Sequence, residues 1–137
     1  YPPRSEERDL LLSGGVRGLL EGLEPVLGEE ELGELQELRA GVKVAEKVAD
    51  YLLTIATQTR QSADFLLGVS TRGVQSLFSA AQAWALAEGR DYVVPDDVQQ
   101  LAPAVLAHRV TLKGGGTGLD AAREAIERVV RSIPVPL

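Results

Sequence analysis

Apolar side chains recur every three or four residues along most of this 137-residue chain, and this spacing most constrains its fold. Such a spacing places apolar side chains on one face of an α-helix. The clearest stripe consists of Val48, Tyr51, Leu52, Ile55 and Ala56. The chain has only one Trp, three Tyr and two Phe, so aliphatic side chains must fill the core. We therefore predict an all-α fold, a small bundle of four to five helices with at most a few residues of strand, forming one domain over residues 1–137.

Helix-start and helix-stop residues divide this pattern into segments. The predicted helical stretches are 5–13, 29–40, 45–60, 71–87, a stretch that begins at 95, and 119–132. Besides the stripe above, the side chains expected to face inward are Leu32, Leu35, Leu38, Val74, Leu77, Phe78, Ala81, Ala85, Val98, Leu101, Ala102, Val105, Leu119, Ala122, Ile126, Val129 and Ile133.

Residues between these stretches carry turn and breaker signals. Pro103 lies inside an apolar helical pattern and lacks an amide hydrogen, so we expect a kink or break there. Residues 14–28 are rich in glycine and predict a mobile connection with one helical turn at 19–23. The stretch 61–69 is predicted as a loop, whereas 42–44 and 90–94 are expected to be briefly extended.

The charge and the cysteine content exclude several classes of function. The net charge is −6 and the isoelectric point is about 4.8, which argues against binding to duplex nucleic acid or to an anionic membrane. The absence of cysteine excludes disulfides, thiol catalysis and Cys-ligated metals, and it fits a cytoplasmic protein. No apolar run reaches the roughly 18 residues that a membrane span needs. The chain also lacks methionine, including an initiator, which favours a part excised from a longer protein.

Few residues offer catalytic chemistry. His108 is the single histidine and lies beside Arg109, where a helix C-terminal charge or a core hydrogen bond is the ordinary role. Asp96 and Asp97 follow a helix-starting proline and fit compensation of the helix dipole. The glycine-rich run 113–118 lacks the strand and the lysine placement of a phosphate-binding loop, so it predicts a flexible loop. No metal site is predicted.

One local feature favours an anion. Ser70 is a good N-cap, and it places Arg72 in the first turn of the helix 71–87. The free amides and the dipole of that turn already attract anions, so a cation there suggests an anionic partner such as phosphate. A nearby carboxylate or plain exposure to solvent would also explain the arginine, and spacing alone does not decide between these readings.

Several motifs together resemble the C-terminal lid of MoxR-family AAA+ ATPases. The segments that carry the resemblance are FLLGVSTRG at 65–73, AAQAWA at 80–85, GRDYVVPDDV at 89–98 and VLAHR at 105–109. The opening YPPRSEER, the TQTR at 57–60 and the closing IPVP at 133–136 also resemble this family. The match covers nearly the whole chain in order. It departs at Thr71, where the family usually has Pro, and at Val94, where it usually has a capping Thr.

The resemblance implies a nucleotide-dependent role within a larger protein. The ATP-binding core lies upstream, and ATP and Mg²⁺ act in that full-length protein, with none expected on this part alone. Arg72 corresponds to the sensor-2 arginine, a catalytic residue that reaches the γ-phosphate, and Gly68, Ser70 and Arg72 are the nucleotide-binding candidates. The implied partners are the ATPase core, neighbouring subunits of a ring that is commonly hexameric, and client proteins that often contain von Willebrand A domains. The implied role is chaperone-like activation or maturation of these partners.

Two other classes compete with this interpretation. An acidic, histone-fold-like interaction module without any nucleotide role would share the pattern of a helix, Gly-Arg-Asp, an extended piece and Pro-Asp-Asp-Val at 89–98. A small hydrolase would need a nucleophile and a base, and the sequence offers no such pair. A phosphate-binding loop in the sequence preceding Tyr1 would decide in favour of the ATPase lid.

Overall fold

A computed structural model describes residues 1–13, 22–114 and 118–136, and it is mostly helical. The elements in chain order are α1 (Arg4–Leu12), α2 (Glu29–Ala40), α3 (Glu46–Gln61), β1 (Phe65–Leu67), α4 (Thr71–Ala87), α5 (Pro95–Leu106), a 3₁₀ turn (Ala107–Arg109), β2 (Thr111–Leu112) and α6 (Leu119–Ser132). The all-α prediction is confirmed, with six helices in the described residues against the four to five expected.

The chain divides into two compact units, residues 1–34 and 35–137. The first unit contains α1 and the start of α2, and no residue of α1 is buried. The prediction that the leucines of α2 face inward was wrong. Leu32, Leu35 and Leu38 are 49%, 40% and 58% exposed. Helical spacing shows that a stripe exists, but the stripe is buried only when another element packs on it, and no residue of α2 is buried.

The second unit contains an aliphatic core formed by the last four helices. Helix α4 packs on α5, α5 packs on α6, and α3 packs on α4 and α6. All five residues of the predicted α3 stripe are buried. The other helices supply to the core Leu77, Ala81, Ala85, Val98, Ala102, Leu106, Ala125, Ile126, Val129 and Val130.

Some residues predicted to face inward lie at the margin of this core. Val74, Phe78, Leu101 and Val105 are only partly buried, and they pack against the core from its edge. Leu119 is 52% exposed, so its predicted inward position was wrong. It is the first residue of α6, whose buried side chains begin one turn later. The spacing of apolar residues along a helix does not show how far the neighbouring helix that buries them extends.

Of the kink or break predicted at Pro103, the break was wrong, because helix α5 continues through this residue; the kink stays a prediction. The proline removes one amide donor, while Val98, Ala102 and Leu106 on either side of it are buried and hold the helix against its neighbours. The carbonyl of Pro103 accepts a bond from the amide of Ala107. The chain then tightens into the 3₁₀ turn.

Short extended segments close the second unit. β1 and β2 pair antiparallel, with Phe65 opposite Leu112, and β1 lies within the stretch 61–69 that the sequence predicted as loop. Strands of two and three residues carry too little periodicity to be detected. The extended pieces predicted at 42–44 and 90–94 are confirmed by a parallel bridge between Lys43 and Tyr92.

Parts of two sequence predictions lie outside the described residues. Of the helical turn predicted at 19–23, residues 19–21 are not described, and of the glycine-rich run 113–118, residues 115–117 are not described. Among the described residues, no helix combines the length and the apolar composition that crossing a bilayer requires.

Candidate functional site

The candidate site is the N-terminal turn of α4. The Oγ of Ser70 accepts a hydrogen bond from the amide of Gly73 at 3.2 Å, which confirms the predicted N-cap. Amides of a first helical turn have no partner within the helix, and the dipole adds partial positive charge there. This end of α4 therefore offers donors and a field that favour an anion.

Arg72 projects from this turn with an exposed side chain. Within residues 1–13, 22–114 and 118–136, its guanidinium forms no hydrogen bond or ion pair with another side chain. The reading in which a nearby carboxylate explains this arginine therefore finds no support in the described chain. Arg72 is available to an anion from outside this domain.

The segment that leads into α4 is held by two consecutive residues at the end of α3. The amide of Val69 donates to Thr59 Oγ1 at 2.9 Å, and the carbonyl of Val69 accepts from Arg60 Nε at 2.7 Å. Thr59 is fully buried, and its hydroxyl donates to the carbonyl of Ala56 at 2.7 Å. Both polar main-chain groups of Val69, one residue before the cap, are thus fixed to α3.

Gly68 allows this segment to approach α3 closely. A Cβ at Gly68 would lie 2.6 Å from the Arg60 nitrogen and 2.7 Å from the Arg60 Cα. These contacts are with backbone, which cannot rotate away, so only glycine fits. The structure therefore gives packing and capping roles to Gly68 and Ser70, and their predicted contact with a nucleotide stays a prediction.

A second arginine lies beside the first turn of α4. A Cβ at Gly73 would lie 3.6 Å from Arg109 Cδ, so the stem of Arg109 runs along this glycine. Its Nε is buried and has no hydrogen-bond partner in the part of the chain that the structure describes. Arg109 ends the segment VLAHR at 105–109, and the structure places it against the candidate site.

An apolar groove extends from the same end of α4. It has a volume of about 540 Å³ between α3 and α4. Leu52, Leu53, Val74 and Phe78 form its apolar walls, and Arg60 and Thr71 also line it. The half-burial of Phe78 follows from this position, because the ring borders both the core and the groove.

The other polar residues considered in the sequence do not form part of this site. His108 is exposed in the 3₁₀ turn, and Asp96 is exposed in the first turn of α5. Asp97 is buried and forms an ion pair with Arg90, with 2.7 Å between Nη2 and Oδ1, which the sequence did not reveal. Among the described residues, no three His, Cys, Asp or Glu side chains are grouped so that they could hold a metal ion.

The sequence did not predict the roles of Thr59 and Arg60 from their chemistry. A signal was present, because Thr59 lies four residues after Ile55 and so continues the buried stripe of α3. A polar residue on a buried stripe needs a hydrogen-bond partner. The partner was not visible, since the following loop supplies it.

Comparison with known proteins identifies the domain. Residues 57–132 match the family model described as the AAA lid domain. The uncharacterized protein YeaC of Bacillus subtilis (strain 168) is 40% identical over 138 residues, which cover 100% of this chain and 43% of the relative. The chaperone MoxR1 of Mycobacterium tuberculosis (strain ATCC 25618 / H37Rv) is 30% identical over 146 residues, covering 99% of this chain and 38% of the relative.

A solved structure shares the fold. The crystal structure of a protein from Cytophaga hutchinsonii ATCC 33406, assigned as an ATPase, superposes with a TM-score of 0.75 at 22% identity, covering 100% of this chain and 44% of that one. The chain belongs to the AAA lid domain family, as a lid of the MoxR type. It spans less than half the length of these relatives. The family match favours this assignment over a histone-fold-like module.

Proposed function

We propose that this domain is the nucleotide-responsive lid of a MoxR-type AAA+ ATPase and that Arg72 is its sensor-2 arginine. In this proposal Arg72 contacts the terminal phosphate of ATP held by the ATPase core of the same protein. The observation that carries the proposal is the exposed guanidinium of Arg72, which projects from the capped first turn of α4 and has no carboxylate partner among the described residues.

The chemistry of this turn suits a phosphate. A guanidinium stays charged at every working pH and forms paired, charge-assisted hydrogen bonds with phosphate oxygens. The N-terminal dipole of α4 adds to the same attraction. In this proposal ATP supplies the anhydride that is hydrolysed, and the ATPase core of the same protein would hold the Mg²⁺ that accompanies it. The lid itself contributes binding and orientation.

A contact of this kind couples the nucleotide to the position of the lid. Arg72 reaches a phosphate on the core only when core and lid are closed on each other. ATP would then stabilise the closed arrangement, and loss of the terminal phosphate would release it. The proposal extends to a ring of subunits, commonly a hexamer, that uses this motion in chaperone-like activation of partner proteins, including those with von Willebrand A domains. A relative named as a chaperone supports this extension.

The test is ATP hydrolysis by the full-length protein that carries this domain. Arg72→Ala should lower kcat by roughly 10²-fold, the scale for loss of one transition-state contact. Arg72→Lys should restore little activity, because the planar fork is lost. Arg123→Ala is a matched control, since Arg123 is exposed on α6 and forms no ion pair among the described residues. Parental rates for both Arg72 variants would overturn the assignment.

A further inference from the structure

We propose that Thr59 and Arg60 are positioning residues that set the direction of Arg72. The inference rests on the proposed sensor role of Arg72 and adds a second site to it, at the end of α3. Neither residue needs to touch the nucleotide. Their effect passes through Val69, which lies only three residues before Arg72.

The two residues act on opposite sides of one peptide segment. Thr59 accepts from the amide of Val69, and Arg60 donates to its carbonyl. A segment held at both its donor and its acceptor cannot rotate about its own axis without breaking one of the two bonds. We call these two bonds the clamp on Val69. Ser70 follows directly, and it accepts the amide of Gly73 at its Oγ and the amide of Val74 at its carbonyl, so the clamp continues into the first turn of α4.

The bond from Thr59 is part of a continuous connection between two helices. Its hydroxyl donates to Ala56 within α3 and accepts from Val69 ahead of α4. Because Thr59 is fully buried, water cannot replace either bond. The close approach at Gly68 leaves no space for a side chain between the segment and α3. The start of α4 is therefore held by directional bonds as well as by apolar contacts.

The guanidinium of Arg60 has a structural role, because its Nε donates to the carbonyl of Val69. This bond directs Arg60 toward the loop, and Arg60 and Thr71 both line the apolar groove. Arg60 and Arg72 thus have different tasks, since one secures the loop and the other is left without a partner in the described chain. A shift of about 1 Å in a contact of this kind can change a reaction rate on the order of 10²-fold.

The experiment removes the Thr59 hydroxyl in the full-length ATPase. Thr59→Val keeps the shape of the side chain and loses both bonds, and we expect kcat for ATP hydrolysis to fall about tenfold or more. The KM for ATP should stay within about twofold, because the core supplies most of the nucleotide contacts. Thr59→Ser keeps the hydroxyl and should recover most of the rate. Equal losses in Thr59→Val and Thr59→Ser would overturn the proposal.

A matched control lies on the same helix. The hydroxyl of Thr54 is exposed and bonds to the carbonyl of Asp50 at 2.8 Å within α3. Thr54→Val should therefore leave kcat unchanged. If Thr59→Val does not fold, as judged from circular dichroism, Arg60→Met provides a second variant that keeps the stem and removes Nε. A parental kcat in the folded variant would exclude the positioning role.

A double-mutant comparison separates positioning from a general structural effect. If Thr59 acts through Arg72, Thr59→Val should cause no further loss of kcat in the Arg72→Ala background. A loss of the same size in both backgrounds would assign Thr59 to general stability. If Arg72→Ala alone has the parental rate, the sensor proposal itself fails. If Arg72→Ala lowers kcat and Thr59→Val does not, only the positioning inference fails.

Discussion

The guanidinium of Arg90 binds both carboxylate oxygens of Asp97, with distances of 2.7 Å and 2.9 Å. The carboxylate also accepts the amide of Val94 at 2.9 Å, and Arg90 donates to the carbonyl of Tyr92 at 3.0 Å. The hydrogen bond to Asp97 raises the pKa of Arg90, because the carboxylate favours the charged guanidinium. The pair joins the extended segment 90–94 to the first turn of α5.

Removing this carboxylate should destabilise the second unit. Asp97→Ala leaves the amide of Val94 without its partner and Arg90 without its anion, and we expect a loss of about 2–4 kcal/mol in the free energy of unfolding. Urea denaturation measures this free energy of unfolding for the parent and the variant. The exposed neighbour Asp96 is the control, because Asp96→Ala removes only a favourable charge from a helix start, worth about 0.3–1 kcal/mol. Equal losses in the two variants would contradict a structural role of the pair.

Two neighbouring residues of α4 should differ in their contribution to stability. Leu77 is 1% exposed, so Leu77→Ala should cost about 2–5 kcal/mol. Phe78 borders the groove and is only partly buried, so Phe78→Ala should cost about 1–2 kcal/mol, below the range for a fully buried ring. Chemical denaturation of both variants gives the order, and a larger loss for Phe78 would show that the ring is buried more deeply than described.

Alanine should have opposite effects at two glycines. At Gly68 a Cβ would collide with the backbone of Arg60, so Gly68→Ala should lower the melting temperature, with a cost of about 1–3 kcal/mol. At Gly33, inside α2, a Cβ would meet no atom within 4 Å. Gly33→Ala should raise the helical signal in circular dichroism, since alanine favours a helix by about 1 kcal/mol over glycine. A stabilising Gly68→Ala would contradict the close approach of this loop to α3.

The 137-residue chain alone should bind ATP weakly. It has no Gly-x-x-x-x-Gly-Lys-Ser/Thr sequence, and one arginine at a helix start offers few of the contacts that hold nucleotide phosphates. Calorimetry with ATP and Mg²⁺ should detect no micromolar affinity. A micromolar dissociation constant would mean that the lid contains a nucleotide site of its own.

Sequence patterns correctly predicted features that depend on residues close together in the chain. The α3 stripe is buried at every predicted position, and the Ser70 cap is formed as expected. The leucines of α2 also recur at helical spacing, every three residues, yet they are exposed, because burial depends on a partner that spacing does not specify. The clamp on Val69 and the Arg90–Asp97 pair were missed for a related reason. Each joins polar groups seven to ten residues apart that only the folded chain brings together.

The pairing of β1 with β2 has a consequence for folding kinetics. Strands this short are not stable alone, and the chain between Phe65 and Leu112 contains both α4 and α5. The entropy of closing so long a loop must be offset before the strands gain from their contacts, so we expect the two helices to pack first. The loop that carries Gly68 and Val69 toward α4 follows β1 directly. This loop is bound to α3, only nine and ten residues away in sequence, so we expect it to be ordered with the helical core and only the β1–β2 pair to form late.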